Sequence, residues 1–61
     1  MTYVLTNKGM PIYSIISNHS MSLIEAIQLA GRFVPVENSD EPDVEISGEY
    51  YFYDDLDLIL G

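Results

Sequence analysis

The chain has no cysteine, a single histidine and only two cations, Lys8 and Arg32, among 61 residues. Without cysteine no disulfide can brace it, and a structural zinc would find His19 and no thiolate to join it. Neither a metal nor a cofactor is expected. No apolar run approaches the roughly 20 residues that cross a bilayer. The opening "MTYVLTNKG" lacks the basic, apolar and small-residue regions of a signal peptide. These absences lead to the expectation of a cytoplasmic protein that does not enter a membrane.

A chain this short buries only about 60% of the surface its unfolded form exposes. With disulfides and metal set aside, oligomerisation is the remaining common way to stabilise such a core, and a homodimer is expected. The 48% hydrophobic content is ordinary for a globular chain despite the net charge of −8. Residues 1–61 therefore read as one small domain.

Acid is distributed unevenly. Of ten acids only Glu25 precedes residue 37; the others are Glu37, Asp40, Glu41, Asp43, Glu45, Glu49, Asp54, Asp55 and Asp57. Both cations lie outside that stretch. Such a half repels nucleic acid and anionic membrane, and attracts basic surfaces over a Debye length of about 8 Å at physiological salt. Direct binding of DNA or RNA is not expected; a basic protein surface is.

"TYVLT", "NKG" and "MPIYSIIS" read as a β-hairpin whose glycine takes positive φ, with Pro11 at the start or edge of the second strand. The second strand is apolar on both faces, which suggests either burial on both sides or a subunit interface. "SMSLIEAIQLAG" is the clearest helix. Ser22 and Glu25 have capping-box spacing, and Gly31 fits a left-handed position just past the end. Leu23, Ala26, Ile27 and Ala30 share a face that Ile24 and Leu29 widen, so little of the helix is polar and a second subunit is expected against it. Tyr13, Ile15, Ile24 and Ile27 are the expected dimer contacts. "RFVPV" reads as a short strand and "ENSDEP" as a loop.

From residue 43 onward the pattern has period two. Asp43, Glu45, Ser47, Glu49, Tyr51, Tyr53, Asp55 and Asp57 alternate with Val44, Ile46, Gly48, Tyr50, Phe52, Asp54 and Leu56. The first set reads as a solvent face and the second, with Tyr50 and Phe52, as core, a pattern broken chiefly by Asp54. Gly48 either bends one long strand or, with Ser47, turns a hairpin; Asp54 and Asp55 can turn the chain into a last strand, "LDLIL". The expected fold is therefore α+β, a small antiparallel sheet of an N-terminal hairpin and C-terminal strands packed on one short helix, in the order ββαβββ.

Same-face residues on a strand lie about 6.6 Å apart, close to the roughly 7 Å between neighbouring phosphates of one DNA strand. A line of carboxylates on a strand can thus imitate one phosphate backbone, although duplex DNA carries a charge about every 1.7 Å of axis. Exposed tyrosines would add the apolar anchors that dominate contact energy. Asp43, Glu45, Glu49, Tyr51, Tyr53, Asp55 and Asp57 are accordingly the expected partner-binding residues. The competing interpretation is a solvated acidic face that keeps the chain soluble and blunts an edge strand.

Catalysis finds little support. Nucleophilic chemistry would need a base, oriented by a third group, beside Ser17, Ser20 or Ser22, and His19 is the only imidazole. "NSDEPDVE" lacks the calcium-loop pattern, and no glycine-rich phosphate loop is present. No catalytic residue and no metal ligand is assigned.

A short, strongly acidic, cysteine-free chain of hairpin, helix and acidic strands resembles the small inhibitor proteins encoded by bacteriophages, among them DNA-mimicking uracil-DNA glycosylase inhibitors, anti-restriction proteins and anti-CRISPR proteins. The hairpin followed by "SMSLIEAIQLAG" and a later acidic strand looks like the layout of the smallest dimeric glycosylase inhibitors of Bacillus phages. The resemblance implies a non-enzymatic protein of the host-cell cytoplasm that occludes a basic site on a host nuclease, repair enzyme or defence complex. No residue role is carried over from it. The alternative is a small homodimeric interaction module whose acids only solvate it.

Overall fold

The computed structural model describes all 61 residues. Strands β1 (Thr2–Asn7) and β2 (Met10–Ile16) precede helix α1 (Leu23–Ala30). Strands β3 (Gly31–Phe33), β4 (Val44–Ile46) and β5 (Glu49–Tyr51) follow, then a one-turn 3-10 helix (Tyr53–Asp55) and β6 (Leu56–Leu60). The fold is α+β in the expected order ββαβββ. Its strands divide between two antiparallel three-stranded sheets, β2-β1-β6 and β3-β4-β5.

The first hairpin turns on Lys8 and Gly9, with φ of 52° and 82°. Two positive φ values are the signature of a type I′ turn, whose twist matches that of the flanking strands. Leu5 pairs with Tyr13 but Thr6 pairs with Pro11, so Ile12 is an extra residue in β2. That bulge reorients Ile12, which packs on the core although strict alternation from the buried Ile15 would turn it outward. Pro11 sits near the start of an edge strand, where its missing N–H costs no ladder bond.

Ser22 caps α1: its hydroxyl accepts the Glu25 N–H at 3.1 Å. Only this half of the capping box forms. The Glu25 carboxylate turns instead to His19 Nε2, 3.0 Å away. Ala26 and Ile27 are fully buried, whereas Ile24 and Leu29 face outward. Gly31 is not a left-handed cap. Its φ is −164°, and it opens β3 with no connecting residue after the helix. Glycine is needed there for space, because a Cβ would overlap the Glu45 carbonyl oxygen of the neighbouring strand.

β3 is shorter than "RFVPV" because Pro35 has no N–H to continue a ladder; the Val34 N–H, bonded to the Asp43 carbonyl at 2.8 Å, is the last such link. β4 and β5 form a hairpin through Ser47 (φ 54°) and Gly48 (φ 83°), again type I′. This turn reverses the expected faces. A two-residue turn pairs Ile46 with Glu49 and Val44 with Tyr51, so odd-numbered β5 residues share the face of even-numbered β4 residues. Tyr51 and Tyr53, expected in solvent, pack against the core cluster, and the Tyr53 ring lies 6.0 Å from that of Phe33. Tyr50 and Phe52, expected in the core, are exposed.

Leu5, Ile27, Val44, Ile46 and Leu56 make the central cluster, two from each sheet and one from the helix. Ile12, Leu23, Ala30 and Leu58 surround it, joining the two sheets through α1. Tyr3 is buried and its hydroxyl accepts the Met21 N–H at 3.2 Å, tying β1 to the approach to the helix. Of the expected dimer contacts, Ile15 and Ile27 are thus buried within the chain. Only Tyr13 and Ile24 remain at the surface, because the helix lays its Ala26–Ile27 side on the sheets and leaves Ile24 on the other.

Candidate protein-binding surface

The acidic half does not form a single line of carboxylates. It is cut by the Ser47–Gly48 turn and again by the 3-10 turn, and β6 then joins the other sheet. Glu45 and Glu49 therefore lie on opposite faces of one hairpin, and Asp57 projects from the β2-β1-β6 sheet opposite Thr6. A regular spacing of about 6.6 Å, which needs one continuous strand, is absent.

Several expected binding residues have partners inside the chain. Arg32 Nε lies 2.7 Å from Glu45 Oε1, across the β3–β4 pair. Lys8 Nζ lies 4.0 Å from Asp55 Oδ2, the first-hairpin turn meeting the 3-10 turn. The Asp43 carboxylate accepts the Tyr53 N–H at 2.8 Å, and the Asp43 N–H donates to the Tyr51 carbonyl at 3.1 Å. These bonds steer the chain out of β5 and give Asp43 a structural task. Sequence distance hid the two ion pairs, since Arg32 and Glu45 are brought together only by strand register.

Both cations are thereby engaged by acids, and Glu25 is engaged by His19. Glu37, Asp40, Glu41, Glu49, Asp54 and Asp57 remain exposed with no cationic partner. Asn38 holds Glu41 by a 3.0 Å bond to its carboxylate, which leaves the negative charge uncompensated. Of the expected set, Glu49 and Asp57 belong to this free group. Glu37, Asp40 and Glu41 join them from the loop before β4, outside the period-two stretch, and Asp54 from the 3-10 turn, where it broke that pattern.

Exposed aromatic surface accompanies this charge. Tyr50 is 55% exposed and stands opposite Glu45, in a cross-strand row with Arg32; Phe52 follows β5. An aromatic beside carboxylates supplies apolar contact area where charge supplies steering.

Charge density sets the scale of any mimicry. The chain measures 36 Å in its longest dimension, so a net −8 amounts to about one charge per 4.5 Å. Duplex DNA carries one per about 1.7 Å and a single strand one per about 3.4 Å. One copy thus approaches a single strand and falls well short of a duplex.

Ser17, His19 and Glu25 come together as the sequence alone did not foresee. Ser17 Oγ lies 3.2 Å from His19 Nδ1, and His19 Nε2 lies 3.0 Å from Glu25 Oε2. The hydroxyl is committed elsewhere: Ser17 Oγ donates to the His19 carbonyl at 2.9 Å and accepts the His19 N–H at 3.2 Å. These bonds, with that from His19 to Glu25, tie residues 17–19 to the first turn of α1.

The surface has no pocket, and no group of three or more potential metal ligands gathers anywhere in the chain. No helix is long and apolar enough to cross a membrane. Compared with protein-family models, curated proteins and solved structures, the chain matches none.

Proposed function

We propose that the protein is a small, non-catalytic inhibitor that docks on a basic, nucleic-acid-binding site of a host enzyme or phage-defence protein and occludes it, acting in the cytoplasm of the host cell. The observation that carries this reading is the charge arrangement. Both cations are paired within the fold, while six exposed carboxylates have no cationic partner and two aromatic side chains, Tyr50 and Phe52, are also exposed. A surface of this kind accelerates encounter with a positive groove and suppresses encounter with nucleic acid itself. The binding set is Glu37, Asp40, Glu41, Glu49, Tyr50, Phe52, Asp54 and Asp57.

A plain homodimeric module is the second reading, favoured by the 86% exposure of Ile16 at the end of an edge strand. The two differ in what the acids do. A tagged chain incubated with bacterial lysate at low and high salt, with duplex DNA as competitor, separates them. The inhibitor captures a nuclease, repair or defence protein that both salt and DNA release. Capture of a partner indifferent to both, or of none, overturns the inhibitor reading.

A further inference from the structure

The two sheets leave four edges, β2, β6, β3 and β5, and an open edge is a template for another strand. Three of them are guarded by charge. β3 carries Arg32 and β5 begins at Glu49. On β6 the Asp57 carboxylate accepts the Leu58 N–H at 2.9 Å. That N–H points away from β1, because the bonds Lys8 N–H to Asp55 and Gly61 N–H to Thr2 set the phase of the β1–β6 ladder. The outward donor in the middle of β6 is therefore already used.

β2 has no such guard. No Asp, Glu, Lys or Arg occurs between Lys8 and Glu25. Met1 and Ser17 exchange both backbone bonds, at 2.6 and 2.8 Å, which makes Tyr3–Ile15 the next bonded pair and turns the N–H and C=O of Ser14 and Ile16 outward. No loop or side-chain group of the chain bonds to these four groups. Ile16, 86% exposed, stands beside them on the face of the sheet away from the core.

We propose that β2 is the self-association edge of the protein, and that its occupant is β2 of a second copy, antiparallel across a two-fold axis at Ile15. Charge selects this occupant. Two copies of net −8 repel wherever their acids approach, and β2 is the edge from which acids are absent. Register follows from the bulge. With Ser14 opposite Ile16 of the partner subunit, all four outward groups of each copy are bonded. An axis at Ser14 would instead call on Ile12, which the bulge takes out of line. The result is a continuous six-stranded sheet with both helices on one side and a β6 strand at each end. This goes beyond the inhibitor reading and stands without it.

The test uses the pure chain alone, so that its failure is independent of any partner. Sedimentation equilibrium over a wide concentration range measures mass for the unaltered chain, Ile16→Glu and Ile59→Glu. Ile59 lies on the same outer face, but on β6. Circular dichroism verifies that each is folded. We expect twice the 6.9 kDa chain mass for the unaltered protein and Ile59→Glu, and a single chain for Ile16→Glu. Amide exchange on the unaltered chain provides a readout free of mutation: the Ser14 and Ile16 amides become at least tenfold slower as concentration rises. A monomer throughout, an Ile16→Glu dimer, loss of the dimer in both variants, or concentration-independent exchange at Ser14 and Ile16 overturns the proposal.

Discussion

Asp43 holds Tyr53 in place by a 2.8 Å bond from the Tyr53 N–H to its carboxylate, spanning the whole β4–β5 hairpin. The bond closes the hairpin at its open end and starts the 3-10 turn that hands the chain to the other sheet. An N–H donating to a carboxylate contributes more than a neutral pair, and its removal leaves the donor partly buried and unpaired. Asp43→Ala is expected to cost about 2 kcal/mol in urea unfolding, and Asp43→Asn, which keeps an acceptor, less than about 1 kcal/mol. Equal losses for the two would show that the charge, not the hydrogen bond, is what matters.

Gly31, the first residue of β3 directly after the helix, lies against Glu45 of β4. Any Cβ at Gly31 overlaps the Glu45 backbone, a neighbour that cannot rotate away. Overpacking typically costs about 1–3 kcal/mol, and backbone that cannot give way puts this site at about 3 kcal/mol. Gly31→Ala should therefore unfold a domain this small, or lower its melting temperature by well over ten degrees. Thermal unfolding followed by circular dichroism checks it; a nearly unchanged transition would mean that β3 can slide along β4.

How far the sequence is legible follows from which interactions are local. The ββαβββ order, the Ser22 cap and the turns at Lys8–Gly9 and Asp54–Asp55 depend on neighbours within a few residues, and all are readable. Side-chain faces beyond residue 47 depended on choosing between a bend and a hairpin at Gly48. A two-residue turn inverts the parity of everything after it, so Tyr50 and Tyr51 exchanged roles on that one choice. Likewise the need for Gly31 was visible but its cause was not, because the atom it avoids belongs to residue 45. The Arg32–Glu45 and Lys8–Asp55 pairs are products of strand register, which no count of charges contains.

The free and the paired acids should behave differently. Asp54→Asn, Asp57→Asn and Glu49→Gln combined, or Tyr50→Ala alone, are expected to weaken capture of the basic partner by at least tenfold, while unfolding changes by less than about 1 kcal/mol, as for exposed substitutions generally. Glu45→Gln removes an acid that Arg32 already neutralises, and leaves capture within about twofold, since an exposed pair is worth only about 0.2–1 kcal/mol. Titration of the captured partner against each variant measures the difference. A larger loss for Glu45→Gln than for the triple variant would place the contact on the Arg32–Glu45–Tyr50 row instead.

Salt should act on the two associations with opposite sign. Attraction between the uncompensated acids and a basic groove is screened as ionic strength rises, so the complex weakens as the Debye length shortens from about 10 Å at 0.1 M to about 3 Å at 1 M. Two copies that meet at β2 suffer repulsion between their acidic halves, and the same screening relieves it. Their contact itself is main-chain hydrogen bonds and Ile16, which salt does not weaken. Sedimentation of the pure chain should therefore give a larger dimer fraction at 1 M than at 0.1 M salt, while partner capture falls over the same range. A dimer that dissociates with salt would mean that opposite charges meet across its interface, and the acids this requires all lie away from β2, which would move the contact elsewhere.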